Sequence, residues 1–159
     1  MVALSMMTGA AATAKSDKTQ TTEFRVTLTS QGTTLRQVGA DGEIAYGWNQ
    51  LAGTAPSDSG DIGVEMLGNV QYVDGRGPIF GFVTLKFASL SDVGFHMQGK
   101  ATKDSSDVTH FTGKLKVLGG TAALIGVKGG GSFSGTRAAA LGSPVELDFT
   151  IKLRGIDIG

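Results

Sequence analysis

The chain contains no cysteine, which excludes disulfides, thiolate nucleophiles and cysteine-ligated metal centres while leaving the redox compartment open. It has no excess of charge of either sign, because 14 Lys and Arg offset 14 Asp and Glu. Basic residues are nowhere gathered together with aromatics, so nucleic acid is not an expected partner. No apolar run approaches the ~20 residues that a membrane-spanning helix requires, and no membrane span is expected. Prolines number only three, so the 25 glycines are not those of a disordered Pro/Gly linker. An HExxH pair, a DxDxDG loop and a GxSxG elbow are all missing, and neither a metal nor a cofactor is expected.

What the chain does have is glycine set into alternating apolar sequence over a length of 159 residues, which suits one domain with a sizeable core. Residues 117–135, VLGGTAALIGVKGGGSFSG, hold seven of the glycines and read as a structured turn between barrel strands. The first fourteen residues are uncharged and mostly apolar, and Ala12-Thr13-Ala14 has the small-x-small form of a signal-peptidase site. Residues 1–21 are accordingly expected to be a signal-peptide remnant or an N-terminal arm, and 22–159 a β-barrel domain. The first alternative implies a secreted or periplasmic protein, the second is compatible with a cytoplasmic one.

From residue 22 the chain alternates with a period of two. Phe24, Val26 and Leu28 share one face, with Glu23, Arg25 and Thr27 on the other. Gln31-Gly32 reads as a turn into a strand over 33–38, and Ala40-Asp41-Gly42 as a turn into 43–51. Residues 53–60 form a polar loop. In Ile62–Val73, residues Ile62, Val64, Met66, Val70 and Tyr72 oppose Glu65, Asn69 and Gln71. A tight connection over 74–78 leads into a strand over 79–87. The strand over 93–101 sets Val93, Phe95, Met97 and Gly99 against His96, Gln98 and Lys100. After a polar turn, 108–117 places Thr109, Phe111, Leu115 and Val117 opposite His110, Thr112, Lys114 and Lys116. Strands over 131–136 and Val145–Arg154 complete the chain, the last with Val145, Leu147, Phe149, Ile151 and Leu153 inward. The pattern predicts an all-β protein, a single antiparallel β-barrel of about eight strands, because closure removes exposed edges and glycines supply corners.

If the apolar face is the lumen, it presents Phe24, Tyr46, Trp48, Met66, Tyr72, Phe95, Met97 and Phe111. Aromatics supply shape and methionines fill irregular gaps, so Tyr46, Trp48, Met66, Tyr72, Phe95, Met97 and Phe111 are the expected substrate-binding residues. His96, His110 and Glu65 share the polar parity, where a solvated outer face is the expected setting and not a metal site. Gly129-Gly130-Gly131 lacks a Gly-Lys-Ser/Thr ending and precedes a strand, which argues for a turn and against a phosphate loop. Lys86, Lys100, Lys114 and Lys116 lie on polar faces that guard against aggregation. No residue stands out as catalytic.

Gly119-Gly120-Thr121, then Gly126, Gly129 and Gly131 before Phe133-Ser134-Gly135, resemble the glycine pattern of the allene oxide cyclase barrel group, in its bacterial branch, which is related in architecture to plant dirigent proteins. Leu67-Gly68-Asn69 and Gly81-Phe82-Val83-Thr84 extend the resemblance over about 64–153. Ala122 departs from it, standing where the family has a glycine, and Leu124 stands where an aromatic is common. The family's barrel-interior carboxylate has no aligned counterpart. The resemblance implies an allene oxide cyclase-like barrel whose lumen holds an apolar small molecule and, as a cyclase or isomerase, templates its conformation. The alternative is a non-catalytic, lipocalin-like carrier or an interaction module. A homo-oligomer is an expected assembly in either case.

Overall fold

The computed structural model describes residues 18–89, 91–138 and 140–156. The leader or arm expected over 1–14 lies outside the described residues. Among those described, the strands are β1 (Gln20–Thr33), β2 (Arg36–Val38), β3 (Ile44–Ala55), β4 (Ile62–Val73), β5 (Gly77–Phe87), β6 (Ser91–Lys103), β7 (Thr109–Gly120), β8 (Lys128–Arg137) and β9 (Val145–Arg154). One 3-10 turn, Ala122–Leu124, interrupts them. From β3 onward each strand pairs antiparallel with its successor, β9 pairs with β1, and β1 pairs with β3. Eight strands therefore close into the single antiparallel barrel that the alternation predicts, and β2 is an extra strand beside them.

β2 extends β1, since its pairing of Arg36 with Tyr46 continues the register in which Thr33 faces Asn49. The turn expected at Gln31-Gly32 is not there. β1 runs through it, and the register shift between Ser30 and Gly32 leaves Gln31 as the extra residue of a bulge. The turn expected at Ala40-Asp41-Gly42 does form, between β2 and β3, with Gly42 N donating to Gly39 O at 3.3 Å.

The glycine-rich segment 117–135 also differs from expectation, being mostly strand. Its turn is confined to the stretch between Gly120 and Lys128, and β8 begins three residues before 131. Gly129 sits at φ +137°, where a side chain would run into the Lys152 carbonyl of β9, so glycine is required for β8 to lie this close to β9.

The two ends of the barrel are packed differently. The end that holds the β5–β6 and β7–β8 connections is filled: Leu85, Val93, Phe95 and Leu124 are all at 0% exposure. β7 reaches it past a second bulge, in which Gly94 faces Gly119 and Phe95 faces Val117, pushing Leu118 outward to 62% exposure. The 3-10 turn then lays Leu124 against Gly120 as a plug. Midway along the barrel, Gly99, Gly113, Phe133, Phe149 and Phe24 are successive cross-strand partners from β6 through β7, β8 and β9 to β1. The Phe24 and Phe149 rings stack at 5.2 Å between centroids, and Phe133 tilts against Phe149 at 6.1 Å. Outside, Arg25 grips Asp148 with two bonds of 2.7 and 2.9 Å, and Lys86 holds Glu65 at 2.7 Å. No helix among the described residues is long and apolar enough to cross a membrane.

Candidate functional site

The opposite end of the barrel is not filled. Inside it lies a cavity of about 50 Å³, walled by Met66, Val70, Ile79, Met97, Phe111 and Phe133 among others. That volume has room for a few waters, given that one water needs roughly 10–15 Å³ measured this way. The small residues Gly68 of β4 and Gly81 of β5 are cross-strand partners, and Gly81 in turn faces Met97 of β6. The Met97 methyl lies over Gly68, where an added Cβ would meet it at an ordinary 3.6 Å.

Three polar side chains line this apolar chamber. Asn49 of β3 accepts a hydrogen bond at its Oδ1 from Ser30 Oγ at 2.7 Å. Tyr72, at the far end of β4, is 2% exposed, and burial raises its hydroxyl pKa above the ordinary value of 10, against a smaller opposing effect of the Arg137 charge. Arg137, the last residue of β8, is 6% exposed; its Nη2 donates to Thr109 Oγ1 at 3.3 Å, and its guanidinium carbon lies 5.4 Å from the centre of the Phe111 ring. Burial lowers the Arg137 pKa, with Tyr72 opposing the shift. Among the described residues that line the cavity none is acidic. Arg137 and Leu141 also border an open cleft of about 330 Å³ at the barrel mouth, together with Lys103 and Asp107, which form an ion pair of 2.7 Å.

The structure divides the residues expected to bind substrate. Met66, Tyr72, Met97 and Phe111 line the cavity. Phe95 faces inward as expected but belongs to the filled end, as a packing residue with 0% exposure. Phe24 is likewise inward, in the phenylalanine row and outside the cavity wall. Tyr46 and Trp48 are on the outside, 47% and 38% exposed. The reason is register: Leu51 and Ala55 of β3 face Met66 and Ile62 of β4, so the odd-numbered residues of β3 go inward and the aromatics at even positions go out. Ala45, Gly47 and Asn49 take the inner places that Tyr46 and Trp48 were expected to fill.

His96 and His110 do not approach each other. His96 faces Lys116 and lies edge-on to Phe82, whereas His110 faces Thr102 and bonds Asp104 Oδ2 at 2.8 Å. The His110 bond, aided by the Ser106 and Val108 amides, holds the Asp104 carboxyl below its usual range. Glu65 is committed to Lys86. All of these lie on the outer face or in a turn.

Sequence reading missed Arg137, Asn49 and Phe133 as lining residues. Arg137 had a signal, because it is in phase with Phe133 and Gly135 on β8 and thus on the inward face of that strand.

No family model matches the chain, and no curated protein matches it in sequence. Among solved structures, it is similar to the pterocarpan synthase dirigent protein PsPTS1, with a TM-score of 0.54 at 12% identity over 89% of this chain and 98% of that one. The pterocarpan synthase dirigent protein GePTS1 aligns with a TM-score of 0.49 at 11% identity, over 97% of this chain and 98% of that one. The likeness to PsPTS1 is one of fold, and it identifies the architecture as a dirigent-like eight-stranded antiparallel β-barrel.

Proposed function

We propose that the open end of the lumen binds an apolar small molecule and holds it in one conformation, in the manner of a cyclase or isomerase of the allene oxide cyclase-like barrels. The observation that carries this reading is the contrast between the barrel's ends. One is closed by Leu124, whereas the other keeps a cavity whose wall is apolar except for Asn49, Tyr72 and Arg137, and which shares Arg137 and Leu141 with the mouth cleft of about 330 Å³, so that a ligand larger than the cavity extends into the cleft. Such a chamber acts on a flexible reactant by removing the conformations that do not lead to ring closure, a contribution of entropy that needs no acid–base pair. The dirigent-like fold supports a barrel used in this way.

Gly68 offers the test. A Gly68→Val side chain points into free volume beside the Met97 methyl, so it fills the cavity without a backbone clash. Calorimetric titration with 4-phenylbutan-1-ol is expected to show binding by the parent protein and at least tenfold weaker binding by the variant, with an undiminished melting temperature. Equal affinities would remove the lumen as the binding site.

A second copy of this chain is the proposed occupant of the outer face of β3–β5. Leu67 and Phe82 are direct cross-strand partners there, Trp48 and Phe80 flank Asn69 in one row, and Tyr46 adjoins Trp48. These five large side chains are each 38–52% exposed. Together they present roughly 500 Å² per chain, so a self-complementary contact reaches about the 1,000 Å² at which specific interfaces begin. Export is proposed on the strength of Ala12-Thr13-Ala14, and a mature chain beginning at Lys15 would support it whereas an intact Met1 would not.

A further inference from the structure

Neither β7 nor β8 contains an acidic residue, and the lysines of both stand on the outer face. Lys116 of β7 and Lys152 of β9 are the cross-strand partners of Gly130 on its two sides. Two residues along β8 in one direction Lys128 faces Arg154, and two residues in the other Ser132 faces Lys114. Gly130 adds no side chain to the middle of this ring, and none fits there, because a Cβ would run into the Leu115 carbonyl. The five cations are all exposed, and none has an ion-pair partner among the described residues. Strand spacing and rise place them on a patch of roughly 10 by 13 Å. The outward acid of β9 nearest to Lys152, Asp148, is held by Arg25, and Glu23 of β1 accepts a bond from Thr150 at 3.4 Å. A chain whose Lys and Arg balance its Asp and Glu therefore gathers cations on one wall.

We infer that the outer face of β7–β9 docks on an anionic membrane surface, with its cations against lipid phosphates and Leu118 in the headgroup layer. Leu118 follows Lys116 on the same face and, at 62%, is the most exposed large apolar side chain among the described residues. It is the extra residue of the bulge between β6 and β7, a device that re-aims a side chain. A soluble polyanion would engage the cations and leave Leu118 without a role, whereas a bilayer surface offers phosphates and an apolar layer together. Each Lys or Arg held near an anionic leaflet strengthens binding by a factor of about five, so five cations and one aliphatic side chain suffice for reversible docking. β8 is four strands from β4 in either direction round the barrel, so this face lies opposite the aromatic face of β3–β5 and leaves it uncovered. The inference does not depend on the lumen reading; it adds a place of action, at the phase in which apolar molecules collect.

Sedimentation of the intact protein with vesicles at low salt tests it, comparing phosphatidylcholine alone with a roughly 3:1 mixture of phosphatidylcholine and phosphatidylglycerol. The anionic vesicles are expected to bind at least tenfold more tightly than the neutral ones, and added salt should weaken them. The double variant Lys116→Glu with Lys152→Glu should lose at least tenfold, whereas Arg36→Glu, an exposed site at the opposite end of the barrel, should bind as the parent does. Leu118→Ser should lose at least threefold on anionic vesicles with no change in calorimetric titration by dextran sulfate. Equal binding of the parent to both vesicles, or to neither, would overturn the inference. Undiminished vesicle binding by folded Lys116→Glu with Lys152→Glu would overturn it by locating the contact elsewhere. Undiminished vesicle binding by Leu118→Ser would overturn it in favour of a soluble polyanion. The comparison of vesicles within the parent protein decides even if a variant fails to fold.

Discussion

Phe133 of β8 lies directly across Gly113 of β7, its ring occupying the space where any side chain at position 113 would stand. Gly99, the next partner along the row, is overlain by the same ring. Two glycines thereby make the room in which Phe133 forms part of the cavity wall. Gly113→Ala is expected to destabilise the barrel by roughly 1–3 kcal/mol through overpacking. Phe133→Leu in the same chain should recover part of the loss. Denaturant unfolding of the two single variants and the double variant measures the coupling, and additive losses would show that the ring and the glycine do not compete for space.

Ala122 holds a backbone conformation that suits glycine. Its φ is +46°, in the turn where Leu124 N donates to Thr121 O and Thr121 N donates to Asp92 O. The left-handed region is unfavourable for a residue with a Cβ, and this is the position at which the glycine pattern of the resembled barrels is broken. Ala122→Gly should therefore stabilise the protein by about 0.5–1 kcal/mol, seen as a melting temperature raised by roughly 1–4 °C. A lower melting temperature would mean that the turn is not held in this conformation.

Tyr72 is expected to make stability fall in alkali. Burial disfavours its phenolate, so its folded pKa is raised above the ordinary value of 10. The contribution is then complete below pH 10 and is lost as pH rises beyond it, because the unfolded chain releases the proton first. Chemical unfolding between pH 8 and pH 11 should show this decline, and Tyr72→Phe should flatten it. Tyrosinate absorbance from Tyr72 near pH 10 in the folded protein would contradict the burial.

The outer aromatic face is tested by charge. Trp48→Asp and Phe82→Asp alter side chains that are 38% and 52% exposed, so the isolated barrel should tolerate them within about 1 kcal/mol. In an assembly through this face each would bury an unpaired carboxylate, and light scattering should show a multimeric parent reduced to single chains. A parent protein that already runs as a single chain would dismiss the second copy.

The barrel was legible because most strands carry their signal locally. In β6, β7 and β9, bulky apolar residues hold one parity and charged residues the other, and Ile62–Val73 and Val145–Arg154 have the bounds read from the alternation. β3 was not legible in the same way. Its aromatics mimic an inward face, while its true inner positions, Ala45, Gly47 and Asn49, look unremarkable until β4 fixes the register. Small inner residues are an advantage in a closed barrel, where side chains from facing strands need the space. Arg137 was passed over because a charge in phase with apolar neighbours at a strand end looks like the end of the strand. In three dimensions that position is the mouth of the chamber.

The central claim, that the half-open lumen is where a small molecule binds, is most directly tested at Met66 and Met97. Both methionines line the cavity at no more than 6% exposure. With carbon-13 in the methionine methyl groups, and Met66→Leu and Met97→Leu used for assignment, the two resonances should shift in a saturable manner as 4-phenylbutan-1-ol is added to the intact protein. Both should stay fixed in Gly68→Val. Saturable binding that leaves the Met66 and Met97 methyls unmoved in the parent protein would place the ligand outside the barrel and contradict the account.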